Sequence, residues 1–160
     1  MSTHKTPHLY LFVIIAVLSG CSDQSDPADT EPVEDLSPGI RGPDKDRNGI
    51  RDDIDQLIDG KYSDTRATKQ AAQQKARALQ QLMESTTRDE ALSAGEELER
   101  SAACLMKMLP GEANYKRRRM LARELEAWTA NTRERFVKYW DSNGLASGSI
   151  FPQAVEPVCD

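Results

Sequence analysis

Between Pro43 and Asp55 the chain reads PDKDRNGIRDDID, and five of these thirteen residues are aspartates. Counted from Asp44, oxygen-bearing side chains fall at positions one (Asp44), three (Asp46), five (Asn48), nine (Asp52) and twelve (Asp55). Gly49 stands at six, where a tight loop turns sharply, and the backbone carbonyl of Ile50 at seven adds another oxygen. A hard cation such as calcium takes about six to eight oxygens, and one short loop with this spacing can supply them. The helix expected to start here carries Asp52 and Asp55 three residues apart, on a face that points back towards the loop. A simpler account competes. Asn48-Gly49 is a common turn, and Asp52 and Asp53 suit the positive end of a helix without any metal. That account does not ask for oxygen donors at all five positions, so the pattern is read as a structural calcium loop. Five aspartates against Lys45, Arg47 and Arg51 leave a net charge of −2. A ligand charge this low fits a weak site, with a dissociation constant of about 10⁻⁴–10⁻³ M.

Little else in the chain has the types and spacing that chemistry needs. The only two histidines, His4 and His8, precede a hydrophobic run that reads as an export signal. The mature chain therefore lacks the usual general base and the commonest zinc ligand. There is no Gly-x-Ser-x-Gly elbow, phosphate-cradling glycine loop or zinc spacing. Carboxylate pairs such as Glu96-Glu97 and Glu124 with Glu126 are ordinary on exposed helix faces, and no catalytic residues are assigned. The run Lys116, Arg117, Arg118, Arg119 near a helix start is the second unusual feature. It is a candidate contact for lipid phosphates, an anionic polysaccharide or an acidic protein. A solvated patch paired with acids such as Glu124 and Glu126 is the blander and favoured account. A net charge of −5 argues against nucleic acid as a partner.

Over Asp44 to Asp55 the pattern resembles the DxDxDGxxDxxD calcium loops of thrombospondin type 3 repeats and, more distantly, the EF-hand loop. It departs from an EF-hand in three ways. The preceding SPGIRGP bars an entering helix, Asp55 replaces a longer bidentate glutamate, and Arg51 occupies a position that is usually apolar. The resemblance implies a calcium ion held by Asp44, Asp46, Asn48, the Ile50 carbonyl, Asp52 and Asp55.

The start of the chain places all this in a compartment. A polar stretch, MSTHKTPH, precedes the apolar run LYLFVIIAVL, which is too short to span a bilayer but suits a signal-peptide core. The run ends in LSGC, Leu18 to Cys21, which resembles the lipobox of bacterial lipoproteins. The resemblance implies cleavage after Gly20, covalent lipid on Cys21, and anchoring in the envelope through several acyl chains. Ser22, rather than aspartate, follows the cysteine, which in enteric bacteria implies the outer membrane, facing the periplasm. With Cys21 assigned to lipid, Cys104 and Cys159 remain, and two cysteines left in an oxidising compartment are expected to pair. Two free buried thiols are the alternative.

The elements that must carry the loop are helical. From residue 21 to Pro43 acids and prolines dominate, and the stretch reads as a disordered linker to the lipid. Ile50, Ile54, Leu57 and Ile58 then mark one face of a short helix ending near Gly60. A second helix over about 64–85 carries Ala72, Ala76, Leu79 and Met83. A third opens on a capping box at Thr87 and Glu90, with Ala91, Ala94, Leu98, Ala102, Leu105 and Leu109 as its stripe. A fourth, over about 112–141, aligns Leu121, Leu125, Trp128, Thr132, Phe136 and Tyr139, with Gly144 as its cap. Trp140 lies off that stripe, with the tail as its expected cover. The tail should lie back on the bundle through Ile150, Phe151 and Val155. The expectation is an all-α bundle of one short and three longer helices over residues 50–160, behind a signal (1–20), a linker (21–43) and a calcium-type loop (44–55). Its expected role is binding or scaffolding. A periplasmic inhibitor or immunity-like lipoprotein that covers another protein is the alternative, and a carboxylate-only enzyme is the third.

Overall fold

The computed structural model describes residues 31–160; the signal run, Cys21 and the acidic residues up to Thr30 lie outside the described residues. The order is α1 (Asp52–Lys61), α2 (Arg66–Glu84), α3 (Arg88–Met108), a 3₁₀ turn (Glu112–Asn114), α4 (Tyr115–Thr129) and α5 (Arg133–Leu145). The class is all-α, with no strand among the described residues. α2 is the central helix, packed on α3, α4, α5 and α1. Its buried side chains include Ala71, Ala72, Ala76 and Ala78, which let neighbouring helices approach closely. Ile50, Ile54, Leu57 and Ile58 are all buried on α1 and the residues before it, as their spacing predicts.

Local chemistry sets most helix starts. The Thr65 hydroxyl accepts from Thr68 N at 3.0 Å, opening α2. At α3 the expected capping box is present: Thr87 Oγ1 accepts from Glu90 N at 3.3 Å, and Glu90 Oε2 accepts from Thr87 N at 3.1 Å. α1 has Asp52, Asp53 and Asp55 in its first turn and Lys61 in its last, both favourable to the helix dipole.

The expected long fourth helix is instead two. Thr129 Oγ1, buried, donates back to Leu125 O at 2.8 Å, and Thr132 caps a new helix by accepting from Arg135 N at 3.2 Å. Two threonines that bond their own backbone offer the chain a stop and a fresh start within four residues. The break re-aims α5. Leu121 and Leu125 are buried as expected, but Phe136 is 55% exposed and Trp140, uncovered by the tail, is 70% exposed; Arg135 and Ser142 face inward instead. Gly144 lies inside the last turn of α5, not at its cap.

The second correction concerns the linker, whose last residues are bound to the bundle. Arg135, wholly buried, donates from Nε to Gly39 O at 3.1 Å and from Nη2 to Asp35 Oδ2 at 2.7 Å. Its Nη1 donates to Asp35 O at 2.5 Å and to Asn131 Oδ1 at 2.9 Å. Arg51, equally buried, forks onto Asp53 at 2.5 and 2.8 Å and also donates to Trp128 O at 2.8 Å. Asp35 N closes the network by donating to Asp53 Oδ2 at 2.7 Å. Residues 34–42 thus form a strap across α5. Gly42 has φ +66 and lies so close to Arg51 that a Cβ there would stand 2.3 Å from Cδ. Any side chain at Gly42 would push the strap off the arginine.

The tail returns along α2 and α3 and is joined by the expected Cys104–Cys159 disulfide, with 5.0 Å between Cα atoms. Val158 is buried, and Gln74 Nε2 donates to Val158 O at 2.9 Å. Asp160 pairs with Arg77 at 2.7 Å and Arg100 at 3.1 Å. Of the three expected contacts only Phe151 packs; Ile150 and Val155 are 95% and 80% exposed. Gly95 of α3 makes the hole that takes Phe151, since a Cβ on Gly95 would lie 2.3 Å from its ring. Gly95→Ala should therefore lower stability by about 1–2 kcal/mol in urea melts, although alanine is the better helix former. Equal or greater stability than the parent would show that the ring moves aside freely.

Candidate metal loop at the start of the bundle

The loop from Asp44 to Ile50 is held by its own carboxylates, with Asn48 at the hub. Asn48 N donates to Asp44 Oδ1 at 3.1 Å and to Asp46 Oδ1 at 3.2 Å. Gly49 N donates to Asp44 Oδ2 at 3.1 Å, and Ile50 N to Asn48 Oδ1 at 2.7 Å. Asn48 Nδ2 stands between two acids, 3.0 Å from Asp46 Oδ2 and 2.6 Å from Asp55 Oδ2. Gly49 makes the sharp turn at φ +82, and Arg47 adds a second left-handed residue at φ 59. Ile50 buries its side chain in the core and so pins the loop to α1.

Asp44, Asp46, Asn48 and Asp55 are thus brought together as expected, but Asp52 is not. Its Oδ1 accepts from Lys45 N at 2.9 Å, and Lys45 Nζ lies 3.2 Å from Oδ2. Among the described residues no three His, Cys, Asp or Glu side chains gather closely enough to hold a metal ion as they stand. The amide of Asn48 separates the carboxylates instead.

The electrostatics of the loop are uneven. Asp55 has its pKa raised, first by burial and then, against hydrogen bonds from Asn48 and Gln73, by the negative charges of Asp46 and Asp59. Every other carboxyl with a resolved shift among the described residues moves down. Burial works to raise Glu84, yet hydrogen bonds from Arg41 and Gln80 bring it down. Backbone and side-chain hydrogen bonds from Thr86 lower Glu90.

Beside the loop lies an open cleft of about 890 Å³, lined by Asp44, Gly49, Arg41, Arg77, Gln80 and Glu84 among others. Two of its arginines are paired, Arg41 with Glu84 at 2.5 Å and Arg77 with Asp160 at 2.7 Å.

The basic run is divided. Arg117 pairs with Asp64 at 2.5 Å. Arg118 donates to Leu109 O, and to Gly111 O at 3.0 Å, satisfying carbonyls at the end of α3. Lys116 and Arg119 are exposed, with no ion-pair partner among the described residues. The charged residues that sequence reasoning missed are Asp35, Arg51, Asp53 and Arg135, which build the strap network.

Comparison of the chain with protein-family models, with curated proteins and with solved structures finds no match.

Proposed function

We propose that the chain is a lipid-anchored bacterial envelope protein that displays a non-catalytic binding or scaffolding module, with a calcium ion organising the junction of strap and bundle. The observation that carries the calcium reading is the placing of Asp46 and Asp55 on either side of the Asn48 amide, with the Asp55 carboxyl pushed up first by burial and then by the negative charges of Asp46 and Asp59. A divalent cation relieves that repulsion better than a neutral amide can. Asp44, Asp46, Asp55 and, after rotation of its amide, Asn48 would hold it. Asp52, engaged with Lys45, would join only by releasing that lysine. Lipid on Cys21 is supported by the LSGC motif and its hydrophobic run. Lys116 and Arg119 are the cations of the basic run left to meet an anionic partner.

Calorimetric titration with calcium tests the loop, using residues 21–160 with Cys21→Ser. Saturable heat with a dissociation constant of about 10⁻⁴–10⁻³ M is expected. At tenfold excess over that constant, stability should rise by about 1.4 kcal/mol. The Asp55 carboxyl should titrate lower in calcium than in chelator, and Asp46→Ala should remove both effects. Superimposed melts and an unmoved Asp55 at millimolar calcium would reduce the loop to a helix-starting turn.

A further inference from the structure

The outward face of α5 is apolar where a surface helix should be polar. At 100° per residue, Arg133, Phe136, Val137 and Trp140 fall within an arc of about 100°. Phe136, Val137 and Trp140 are 55%, 48% and 70% exposed, and the opposite side carries the buried Arg135 and Ser142. Nothing in the fold needs them there. The core of the bundle is complete without Phe136, Val137 or Trp140, and contiguous exposed apolar residues of this size mark a contact surface.

We propose that this face docks on the phospholipid bilayer that holds the chain, with Trp140, Phe136 and Val137 entering the interface between headgroups and acyl chains. The inference rests on the lipid-anchor reading above. Two observations select a bilayer as occupant. The first is where the tether meets the fold. Asn131 Nδ2 donates to Glu34 Oε2 at 3.0 Å and to Asp35 O at 3.1 Å, and Arg135 holds Asp35 as well. The strap is therefore fixed beside the first turn of α5, the same helix that bears the aromatic face. Thirteen residues lie between Cys21 and Asp35, and at full extension that stretch reaches about 50 Å. A lipidated Cys21 would keep α5 within that distance of the bilayer, where even a weak contact is largely occupied. The second is the residue chemistry. A tryptophan with a wet polar edge, a second aromatic and a flanking arginine suit the boundary between water and acyl chain. The acids nearest the face lie at its edge. Glu134 accepts from Gly39 N at 3.0 Å, and Asp141 lines the shallow depression shared by Ile40 and Val137.

The test uses the lipidated full chain purified from membranes, with Trp128→Phe so that Trp140 is the single tryptophan. It is reconstituted in vesicles of phosphatidylethanolamine and phosphatidylglycerol. The expected result is emission from Trp140 shifted by roughly 10 nm to the blue on reconstitution and quenched at least twofold by lipids brominated on the acyl chains. Phe136→Ser with Val137→Ser should abolish most of that quenching while leaving the far-ultraviolet circular dichroism unchanged, since both residues are exposed. Unshifted, unquenched Trp140 in a chain whose intact mass shows acylated Cys21 overturns the docking and leaves the anchor standing. Sizing in detergent then shows whether a second copy covers the face. A chain without acyl groups overturns the anchor instead. The same protein is then held on the vesicles by an N-terminal hexahistidine and a nickel-chelating lipid, where quenching still upholds docking and its absence refutes it.

Discussion

Arg135→Met is expected to destabilise the protein by about 3 kcal/mol and to free the strap, while the helices remain. Methionine fills similar volume but donates no hydrogen bond. The Asp35 carboxylate then loses its closest cation, the Gly39 carbonyl loses its donor, and the Asp35 carbonyl keeps only Asn131 Nδ2. Removing one member of a buried, hydrogen-bonded pair leaves the other desolvated without compensation, which costs about 3–5 kcal/mol. The lower end applies here because the Asp35 side chain keeps 17% of its surface in water. Arg135→Lys should rescue little, since an ammonium cannot fork between a carboxylate and two backbone carbonyls. Urea melts give the magnitude, and limited proteolysis near Ser37 reports the strap. A loss under about 1 kcal/mol would mean that the strap is merely laid on the surface.

The same network sets an acid limit. Burial works to raise the Asp35 carboxyl, but hydrogen bonds from Ser37 and Arg135, with the Arg135 charge, outweigh it and hold the group at about 2 against an ordinary 3.8. A depressed carboxyl contributes its full stability above its unfolded pKa and loses it as the pH falls through the folded one. In the parent protein stability should therefore fall between about pH 4 and pH 2, and Arg135→Met should flatten that part of the profile.

Loss of the disulfide is the larger expected effect. Cys104 and Cys159 are 55 residues apart in sequence, and closing a loop of that length stabilises by about 4 kcal/mol in the chain-entropy model. For a fold of this size that corresponds to a fall in Tm of about 15 °C. Cys104→Ser with Cys159→Ser should also release Val158 from the core and weaken the pairs that Asp160 makes with Arg77 and Arg100. Calorimetric melts of oxidised, reduced and double-serine protein measure it. Coincident melts of all three would show that packing of the tail alone holds it in place.

These two effects also mark how far the sequence could be read. The stripes of α1 and α2 face the core as their spacing requires; on α3 Ala91, Ala94 and Leu105 do so while Ala102 is only half-buried and Ser101 and Cys104 turn inward, and the Thr87–Glu90 box is a local signal that needs no tertiary context. The cysteine pair followed from the count together with the expected oxidising compartment. Arg135 and Arg51 carried no such signal. Arg135 can be buried because its carboxylate partner lies about a hundred residues away, and Arg51 because its fork onto Asp53 is closed by Trp128 O; in sequence both look like any surface cation. For the same reason Asp35 read as one more acid in a loose linker. The turn of α5 was legible in principle through Thr129 and Thr132, but the aromatic stripe running across them suggested one continuous helix. In the loop, Asp44, Asp46, Asn48 and Asp55 are placed by spacing that a tight turn translates directly into proximity. Asp52 is not, because Lys45 is within reach and an ion pair competes with the loop for its carboxylate.

The proposed lipid on Cys21 is tested most directly by the intact mass of the chain extracted from the membranes of the bacteria that express it. Cleavage after Gly20 with acyl groups on Cys21, and no processing in a Cys21→Ala variant, is the expected result. A mature chain that starts elsewhere, or carries an unmodified Cys21, would contradict it.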